Sequence, residues 1–564
     1  MNLDKILMDD LSLEFKSKLQ KLFVEKKFSN LEFEIESLGD IQNLENGILY
    51  LYAISKSLNP TSKKKDYALA VDLLIQVYKK NIENLEPLYN SVVVSLKAET
   101  YKDTIKILLE ALEINPKNEK IIDGLAKLNN VLGNMEDSYN YYKLLFEVNP
   151  SQVASRQTFL TSLNYHPLID QNEYLKQCRL YTSIIEKNIK NNFNYQKTKN
   201  KKIKLGFLSS DLRNHSVSYF LKDLIKNIDK KEFEIIAFSN VKKLISDQMT
   251  VELKKLFDYW HDIFDYKDSE LVDFIRKKNV NIIIDLNGYT FGNRSNIFVE
   301  RVAPIQIIWL GYCNSSGLKN MDYLISDHNC IKKDEENLYS EKIIYMPNIW
   351  NSMSKHSNLP EVVEPPVNRN KIFTFGSFNN FQKISNKTIS VWSKILNDTT
   401  SRIILKNSIM DNEEINQNLI EKFLLNNVKE EKIQIINFKK QSSDHLSLYG
   451  QIDLALDTFP YNGVTTTFES VLMGVPVLTI KGFNFNSRCG ESINRNLNLE
   501  NFIAENYDDY YTKALSFYEN KDYLSNLRKS MRDKVLSSPL FNNKDFASVF
   551  SKKMKSIWEN FSKD

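Results

Sequence analysis

Lys202-Ile-Lys-Leu-Gly-Phe-Leu-Ser-Ser-Asp-Leu-Arg-Asn-His215 is the stretch at which the pattern of the chain changes. Ile203–Leu208 is a short apolar run that predicts a strand, Ser209–His215 a polar loop, and Tyr219–Ile228 an amphipathic helix. The same alternation continues downstream. Phe233–Phe238 predicts a second strand, Leu271–Lys278 a helix, Val280–Leu286 a third strand ending in Asn287-Gly288-Tyr289, and Ile305–Leu310 a fourth. Strands alternating with helices imply a parallel sheet, whose functional loops follow the strand carboxyl ends. Ser209–His215 and Asn287–Thr290 fall there. A polar, proline-containing stretch near Leu359–Arg369 predicts an interdomain link, after which the alternation restarts. Strands are expected at Ile372–Phe375, Arg402–Leu405, Ile433–Ile436, Leu454–Leu456 and Val477–Ile480, and a helix at Lys387–Leu396. The reading is therefore two α/β domains in tandem, residues 201–365 and 370–543, with a ligand cleft between them. A helix over 544–564 follows, with Phe546, Phe550, Met554, Ile557 and Trp558 at helical spacing.

Upstream the period differs. Asn115-Pro116 and Asn149-Pro150 each close an apolar helical run 34 residues apart, and one more step back reaches Asn81. Small residues recur in phase at Ala70, Thr104 and Ser138, where paired helices would cross closely. This is the tetratricopeptide pattern, and about three copies suffice to share a stacked core. Residues 1–150 are thus expected to be helical, with the repeats clearest over 50–150. Such repeats serve either as a peptide-binding surface or as a stabilising extension. Residues 151–200, ending in Lys190-Asn191-Asn192 and Lys197-Thr198-Lys199-Asn200, read as a helical connector.

A chain of 564 residues is too long for one core. Its 75 basic and 71 acidic side chains leave a net charge of +4, which gives no general attraction to nucleic acid or to an anionic membrane. Cys178, Cys313, Cys330 and Cys489 form no Cys-x-x-Cys pair, so neither a zinc site nor a disulfide framework is expected, and a reducing, cytoplasmic setting is the simpler reading. Acidic Asp4, Asp9 and Asp10 argue against a signal peptide. The most apolar run, Val471–Ile480, is far shorter than the ~20 residues of a membrane span.

The strongest local chemistry is Asp457-Thr-Phe-Pro-Tyr-Asn-Gly463-Val-Thr465-Thr466-Thr467-Phe-Glu469-Ser. A strand, a glycine-containing loop and a helix start rich in hydroxyls and free N–H groups suit a diphosphate, and Glu469 could accept sugar or ribose hydroxyls. The same residues also suit a capping box that needs no ligand. Lys383, after Asn379-Asn380, could neutralise a leaving diphosphate or simply lie in solvent. His215 could shuttle a proton, steer an acceptor, or be structural. Neither the six histidines nor any Asp-x-Asp motif suggests a metal.

Residues 203–560 resemble the catalytic region of family 41 glycosyltransferases, the protein O-GlcNAc transferases and their SPINDLY-type relatives. The matching motifs are His215-Ser-Val-Ser-Tyr-Phe, Asn287-Gly-Tyr-Thr, Ala303-Pro-Ile-Gln-Ile-Ile-Trp-Leu-Gly-Tyr312, Met321-Asp-Tyr, Phe375-Gly-Ser-Phe-Asn-Asn-Phe-Gln-Lys383-Ile, Asp457-Thr-Phe-Pro-Tyr and Met473-Gly-Val-Pro-Val. The resemblance implies a GT-B fold of two Rossmann-like domains behind the helical repeats, and metal-independent, inverting transfer of GlcNAc or fucose to Ser or Thr hydroxyls of a polypeptide bound by the repeats. It assigns His215 and Lys383 to catalysis, and Asn380, His445, Gly463, Thr465, Thr466, Thr467 and Glu469 to the donor, with no cofactor beyond UDP-GlcNAc or GDP-fucose as substrate. The O-GlcNAc branch carries a histidine where Val464 stands and an aspartate where Glu469 stands, and its second active-site histidine has no counterpart near Asn281. These departures bring the chain closer to the SPINDLY type, which in plants uses GDP-fucose. A catalytically silent scaffold and a transferase with a lipid or polysaccharide acceptor are the rival readings.

Overall fold

The computed structural model describes residues 12–187, 189, 193, 195, 202–355, 358–407, 412–436 and 442–563. The chain forms two compact units, Met1–Gln152 with Asn412–Asn418, and Val153–Asp411 with Leu419–Asp564.

The first unit contains helices α1 (Leu13–Val24), α2 (Phe28–Glu36), α3 (Asn46–Leu58), α4 (Lys64–Lys80), α5 (Glu86–Ala98), α6 (Lys102–Ile114), α7 (Glu119–Leu132) and α8 (Met135–Val148). The pairs α3/α4, α5/α6 and α7/α8 are the three repeats. Asn81, Asn115 and Asn149 each end the second helix of a pair, with closely similar backbone angles (φ −147°, −127° and −134°; ψ 85°, 67° and 89°). The small residues are where the helices touch. Ala70, Thr104 and Ser138 are fully buried; Thr104 Oγ1 lies 2.6 Å from Ser95 Oγ of α5, and Ser138 Oγ donates to the Ala126 carbonyl of α7 at 2.9 Å. A larger side chain at these positions would push the pair apart.

The second unit holds two parallel sheets. The first comprises β1 (Ile203–Ser209), β2 (Phe233–Ser239), β3 (Tyr259–Asp262), β4 (Ile282–Asp285), β5 (Ile305–Ile308), β6 (Tyr323–Asp327) and β7 (Lys342–Met346), in the order β3-β2-β1-β4-β5-β6-β7. The second comprises β8 (Thr374–Ser377), β9 (Arg402–Lys406), β10 (Ile433–Ile436), β11 (Leu454–Leu456), β12 (Val477–Ile480) and β13 (Ile503–Ala504), in the order β10-β9-β8-β11-β12-β13. Each order reverses beside its first strand, β1 or β8, which is the Rossmann switch point where ligands bind beyond the strand carboxyl ends. The chain thus has the expected architecture, helical repeats followed by a GT-B pair of Rossmann-like halves.

Several details depart from the sequence expectation. The connector's residues 190–192 and 197–200 lie outside the described residues, but its earlier part is no connector. Helices α9 (Arg156–Leu163) and α10 (Gln171–Ile185) belong to the second unit. Tyr174 of α10 lies 2.5 Å from the Tyr312 hydroxyl and donates to the Ser315 carbonyl; Gln171 donates to Asn314 at 2.7 Å and accepts from Asn484 of the other half at 3.2 Å. Buried polar groups that pair this way hold α9 and α10 against both halves. The helix Asn543–Lys563 also returns to the first half, with Phe546 and Phe550 against the Trp309 ring at 6.2 and 5.4 Å. Among the described residues, no helix is long and apolar enough to cross a membrane.

One ion pair ties the halves together. Both guanidinium nitrogens Nη1 and Nη2 of Arg488, at the start of helix Cys489–Asn496, donate to Glu335 of the first half, the Nη2–Oε1 bond measuring 2.8 Å, while Nε donates to the Gly482 carbonyl. Burial disfavours the guanidinium charge, and Glu335 more than restores it. Glu335→Ala should therefore destabilise the unit by about 2 kcal/mol, below the roughly 3–5 of a fully buried pair because Glu335 keeps a water-facing edge. An unchanged urea midpoint for this variant would mean that the pair holds nothing.

Candidate active site

The two switch points open onto a single cavity of about 480 Å³. Its walls come from the segments after β1, β4, β5 and β7 of the first half and after β8, β10 and β11 of the second, with Lys406 at the end of β9. His215, Lys383, Asn380, His445, Thr465, Thr466 and Glu469 all line it.

Lys383 ends a short 3₁₀ turn, Phe381–Lys383, capped by Asn380, whose Oδ1 accepts from Gln382 N at 3.2 Å. Its ammonium donates to the Asn462 carbonyl at 2.8 Å and lies 4.1 Å from the centre of the Tyr461 ring. Surrounding protein strips water from the ammonium and pushes its pKa down to about 8, against the pull of Asp457. The start of helix Thr465–Leu472 lines the same cavity. Val464 in the cap position makes no side-chain cap bond, and the first N–H bonded back along the helix is that of Phe468. Those early N–H groups and the positive end of the helix suit a diphosphate.

The three threonines divide. Thr466 Oγ1 donates to Asn379 Oδ1 at 2.8 Å, and Thr465 lines the cavity. Thr467 is turned away: it is buried, absent from the cavity wall, and its hydroxyl donates to the Gly463 carbonyl at 2.7 Å, the bond to the preceding turn that a mid-helix threonine favours. Gly463 also stands behind the wall. Its N–H donates to Asp457 Oδ1 at 2.8 Å, and a Cβ there would sit 2.3 Å from Thr466 Oγ1 and 2.5 Å from Asn379 Oδ1. Both residues shape the loop that leads into the helix rather than face the cavity. Asp457, held also by Thr458 N and Thr479 Oγ1, is pushed up to about 6 by burial.

Glu469 is already engaged. Its Oε2 lies 2.8 Å from His445 Nε2 and accepts from the Tyr449 hydroxyl at 3.2 Å. On the first half, His215 caps helix Ser216–Asn227 through Nδ1, which accepts from Val217 N at 3.3 Å, and sits 3.8 Å from Asp211 Oδ2. Burial lowers its pKa, so the ring is neutral at pH 7. With Nδ1 accepting, the proton resides on Nε2.

Sequence reasoning missed four wall residues. Tyr165, just beyond α9, stacks on Tyr461 at 5.1 Å and 20°, lengthening the aromatic wall beside Lys383. Lys406 is the last residue of β9; burial lowers its pKa while Glu469 pulls it back. Trp350 and Asn351, after β7, close the floor. Lys406 had a usable signal, a lysine at the carboxyl end of a strand in a parallel sheet. Tyr165 had none in a segment read as connector. The motif Trp309-Leu310-Gly311 ends in a tight turn, not a strand: Gly311 N donates to the Trp309 carbonyl at 3.1 Å, with Leu310 at φ +76° facing the cavity.

Two Rossmann-like halves whose switch points open onto one cavity, lined by a lysine and a helix start, form a cleft of the GT-B class. Residues 171–371 and 367–550 match the profile of glycosyl transferase family 41, and the chain belongs to that family. It is 30% identical over 360 residues to the probable UDP-N-acetylglucosamine–peptide N-acetylglucosaminyltransferase SPINDLY of Solanum lycopersicum, covering 63% of this chain and 39% of that one. The corresponding enzyme SEC of Arabidopsis thaliana is 23% identical over 367 residues, 64% of this chain and 37% of that one. The chain thus spans about two fifths of the length of these curated relatives. In fold it is similar to a point mutant of an O-GlcNAc transferase from Thermobaculum terrenum, with a TM-score of 0.79, 23% identity, and coverage of 92% of this chain and 99% of that one.

Proposed function

We propose that this protein transfers a single sugar, GlcNAc or fucose, from UDP-GlcNAc or GDP-fucose to Ser or Thr hydroxyls of a polypeptide, with inversion and without a metal. The observation that carries this reading is the Lys383 ammonium, low in pKa and lining one cavity with the uncapped start of helix Thr465–Leu472. Family membership and the printed names of the relatives support a peptide acceptor, and the helical repeats supply a surface to hold one. The four buried, free thiols fit a cytoplasmic setting.

In this mechanism the acceptor oxygen attacks the anomeric carbon from the face opposite the diphosphate. The bond from that carbon to the phosphate oxygen breaks, and its electron pair leaves with the diphosphate. Lys383 and the helix N–H groups meet the charge that develops there, which is the term a metal otherwise supplies. Because the lone pair of His215 Nδ1 is held by Val217 N–H, its Nε2–H acts as a donor that orients the acceptor or the sugar, and the hydroxyl proton leaves to water or to a phosphate oxygen. Glu469, with His445 and Tyr449, holds hydroxyls of the donor nucleoside.

Thermal unfolding of the full chain with UDP, UDP-GlcNAc, GDP and GDP-fucose, in EDTA, tests the reading. A ligand at a hundred times its Kd should add ~2.7 kcal/mol of apparent stability. A shift with one base, followed by sugar transfer to a Ser/Thr peptide in the same buffer, is the expected result. No shift with any nucleotide would favour the silent scaffold.

A further inference from the structure

One wall group has no role in the mechanism above. Asn351 is fully buried in the cavity floor, and neither its Oδ1 nor its Nδ2 has a hydrogen-bond partner among the described residues. Buried carboxamides nearly always find partners, and this one leaves both its acceptor and its donors unmet. The backbone that presents it is pinned on either side. Trp350 N donates to Asp327 Oδ2 at 3.0 Å, and the Trp350 carbonyl accepts from the Trp309 indole at 3.0 Å. Beyond it, Ser352 Oγ and Met353 N both donate to the Leu540 carbonyl, at 3.0 and 2.9 Å. A rigidly presented polar group without partners is the arrangement of a preorganised ligand contact.

The chemistry of the group selects the ligand. A diphosphate only accepts hydrogen bonds; it would satisfy Nδ2 and set its own negative oxygens against Oδ1. It also has other donors in Lys383 and the helix start. A pair of neighbouring ring hydroxyls can do both jobs, one accepting from Nδ2 and the other donating to Oδ1. Asn351, like Trp350, Leu310 and Gly311, lines the cavity from the first half, whereas Lys383 and the helix start belong to the second.

We propose that Asn351 grips the transferred sugar through two adjacent ring hydroxyls and is a specificity-determining residue of the site. The assignment rests on the nucleotide-sugar reading given above. The test is calorimetric titration of the full-length wild type, Asn351→Leu and Asn351→Asp with UDP, UDP-GlcNAc, GDP and GDP-fucose, together with the melting temperature of each ligand-free protein. Two lost hydrogen bonds should weaken the sugar nucleotide that the wild type binds by about tenfold or more in Asn351→Leu, with the matching nucleoside diphosphate unchanged. Asn351→Asp keeps the shape, loses the donors and adds a charge that repels the diphosphate, so it should weaken both ligands, the sugar nucleotide more. Ligand-free Asn351→Leu should melt at the wild-type temperature or above, since no unmet polar group remains. Equal weakening of diphosphate and sugar nucleotide would place the contact on the phosphates and overturn the assignment. So would unaltered binding of both, or a lowered melting temperature with binding intact, which is the mark of a structural asparagine. If the wild type binds no nucleotide at all, the functional reading fails and this assignment falls with it; nucleotide binding with indifferent variants sinks the assignment alone.

Discussion

Lys383→Ala is expected to lower turnover by about 10²–10³, the usual effect of removing one preorganised donor from developing negative charge. The geometry explains why a single lysine should matter so much. Its ammonium is held by the Asn462 carbonyl and the Tyr461 face, so it needs no reorganisation when the diphosphate arrives. Burial that brings its pKa down to about 8 also makes it a stronger partner for an anion, since little water competes. The sign of the pH dependence follows. Below pH 8 the free protein carries the ammonium; above it the ammonium fraction falls, so the affinity for UDP or GDP should weaken as pH rises through about 8. Stability runs the other way. A lysine whose folded pKa lies below its unfolded value of 10.5 loses stability as pH falls toward 8, because the charged form is penalised by burial. Donor binding relieves that penalty, so nucleotide stabilisation should be larger at pH 7 than at pH 9.5. Near-normal turnover in Lys383→Ala, or an affinity flat across this range, would remove Lys383 from the mechanism.

Gly311→Ala is expected to be the most damaging single methyl group in the site. A Cβ there would stand 2.0 Å from the Leu286 carbonyl oxygen, a backbone atom at the end of the strand that precedes Asn287. Overpacking usually costs 1–3 kcal/mol; a backbone collision should cost at least about 3 kcal/mol. The displacement cannot stay local. Gly311 closes the turn that holds Leu310 at φ +76°, and both residues face the cavity, so a shift of about 1 Å there should also cut turnover by roughly 10². Urea unfolding and steady-state kinetics on the same preparation measure both effects. Wild-type stability in this variant would show that the turn has room to give.

The central strands of both sheets were legible because fully buried parallel strands read as continuous apolar runs, as in Ile203–Leu208 and Val477–Ile480. Of the edge strands, Ile433–Ile436 was legible, whereas Tyr259–Asp262, Lys342–Met346 and Ile503–Ala504 were not. Tyr259–Asp262 reads Tyr-Trp-His-Asp and is largely exposed at the sheet edge, so no continuous apolar run marks it as a strand. The repeats were legible through their caps and crossing residues, which recur in sequence because they recur in space. Within the site, Lys383, His215, Thr465 and Glu469 announced themselves by following strands or opening helices. Thr467 looked equivalent to its neighbours in sequence, yet helical geometry aims its hydroxyl back at Gly463. Tyr165 and Asn351 reach the cavity only through long-range packing, Tyr165 across to Tyr461 and Asn351 through a segment pinned by Trp309, Asp327 and Leu540. No local pattern carries that information.

The helix Asn543–Lys563 has a consequence for the order of events on the ribosome. The sheet it completes is translated before the second half, yet the Trp309 face stays uncovered until Phe546 and Phe550 emerge, after the whole second half has been made. The first half cannot finish its core before the second is made, because it waits for a helix that follows the second in sequence. Contacts so distant in sequence slow folding and leave an apolar surface open meanwhile, which makes the nascent first half a natural client for chaperones.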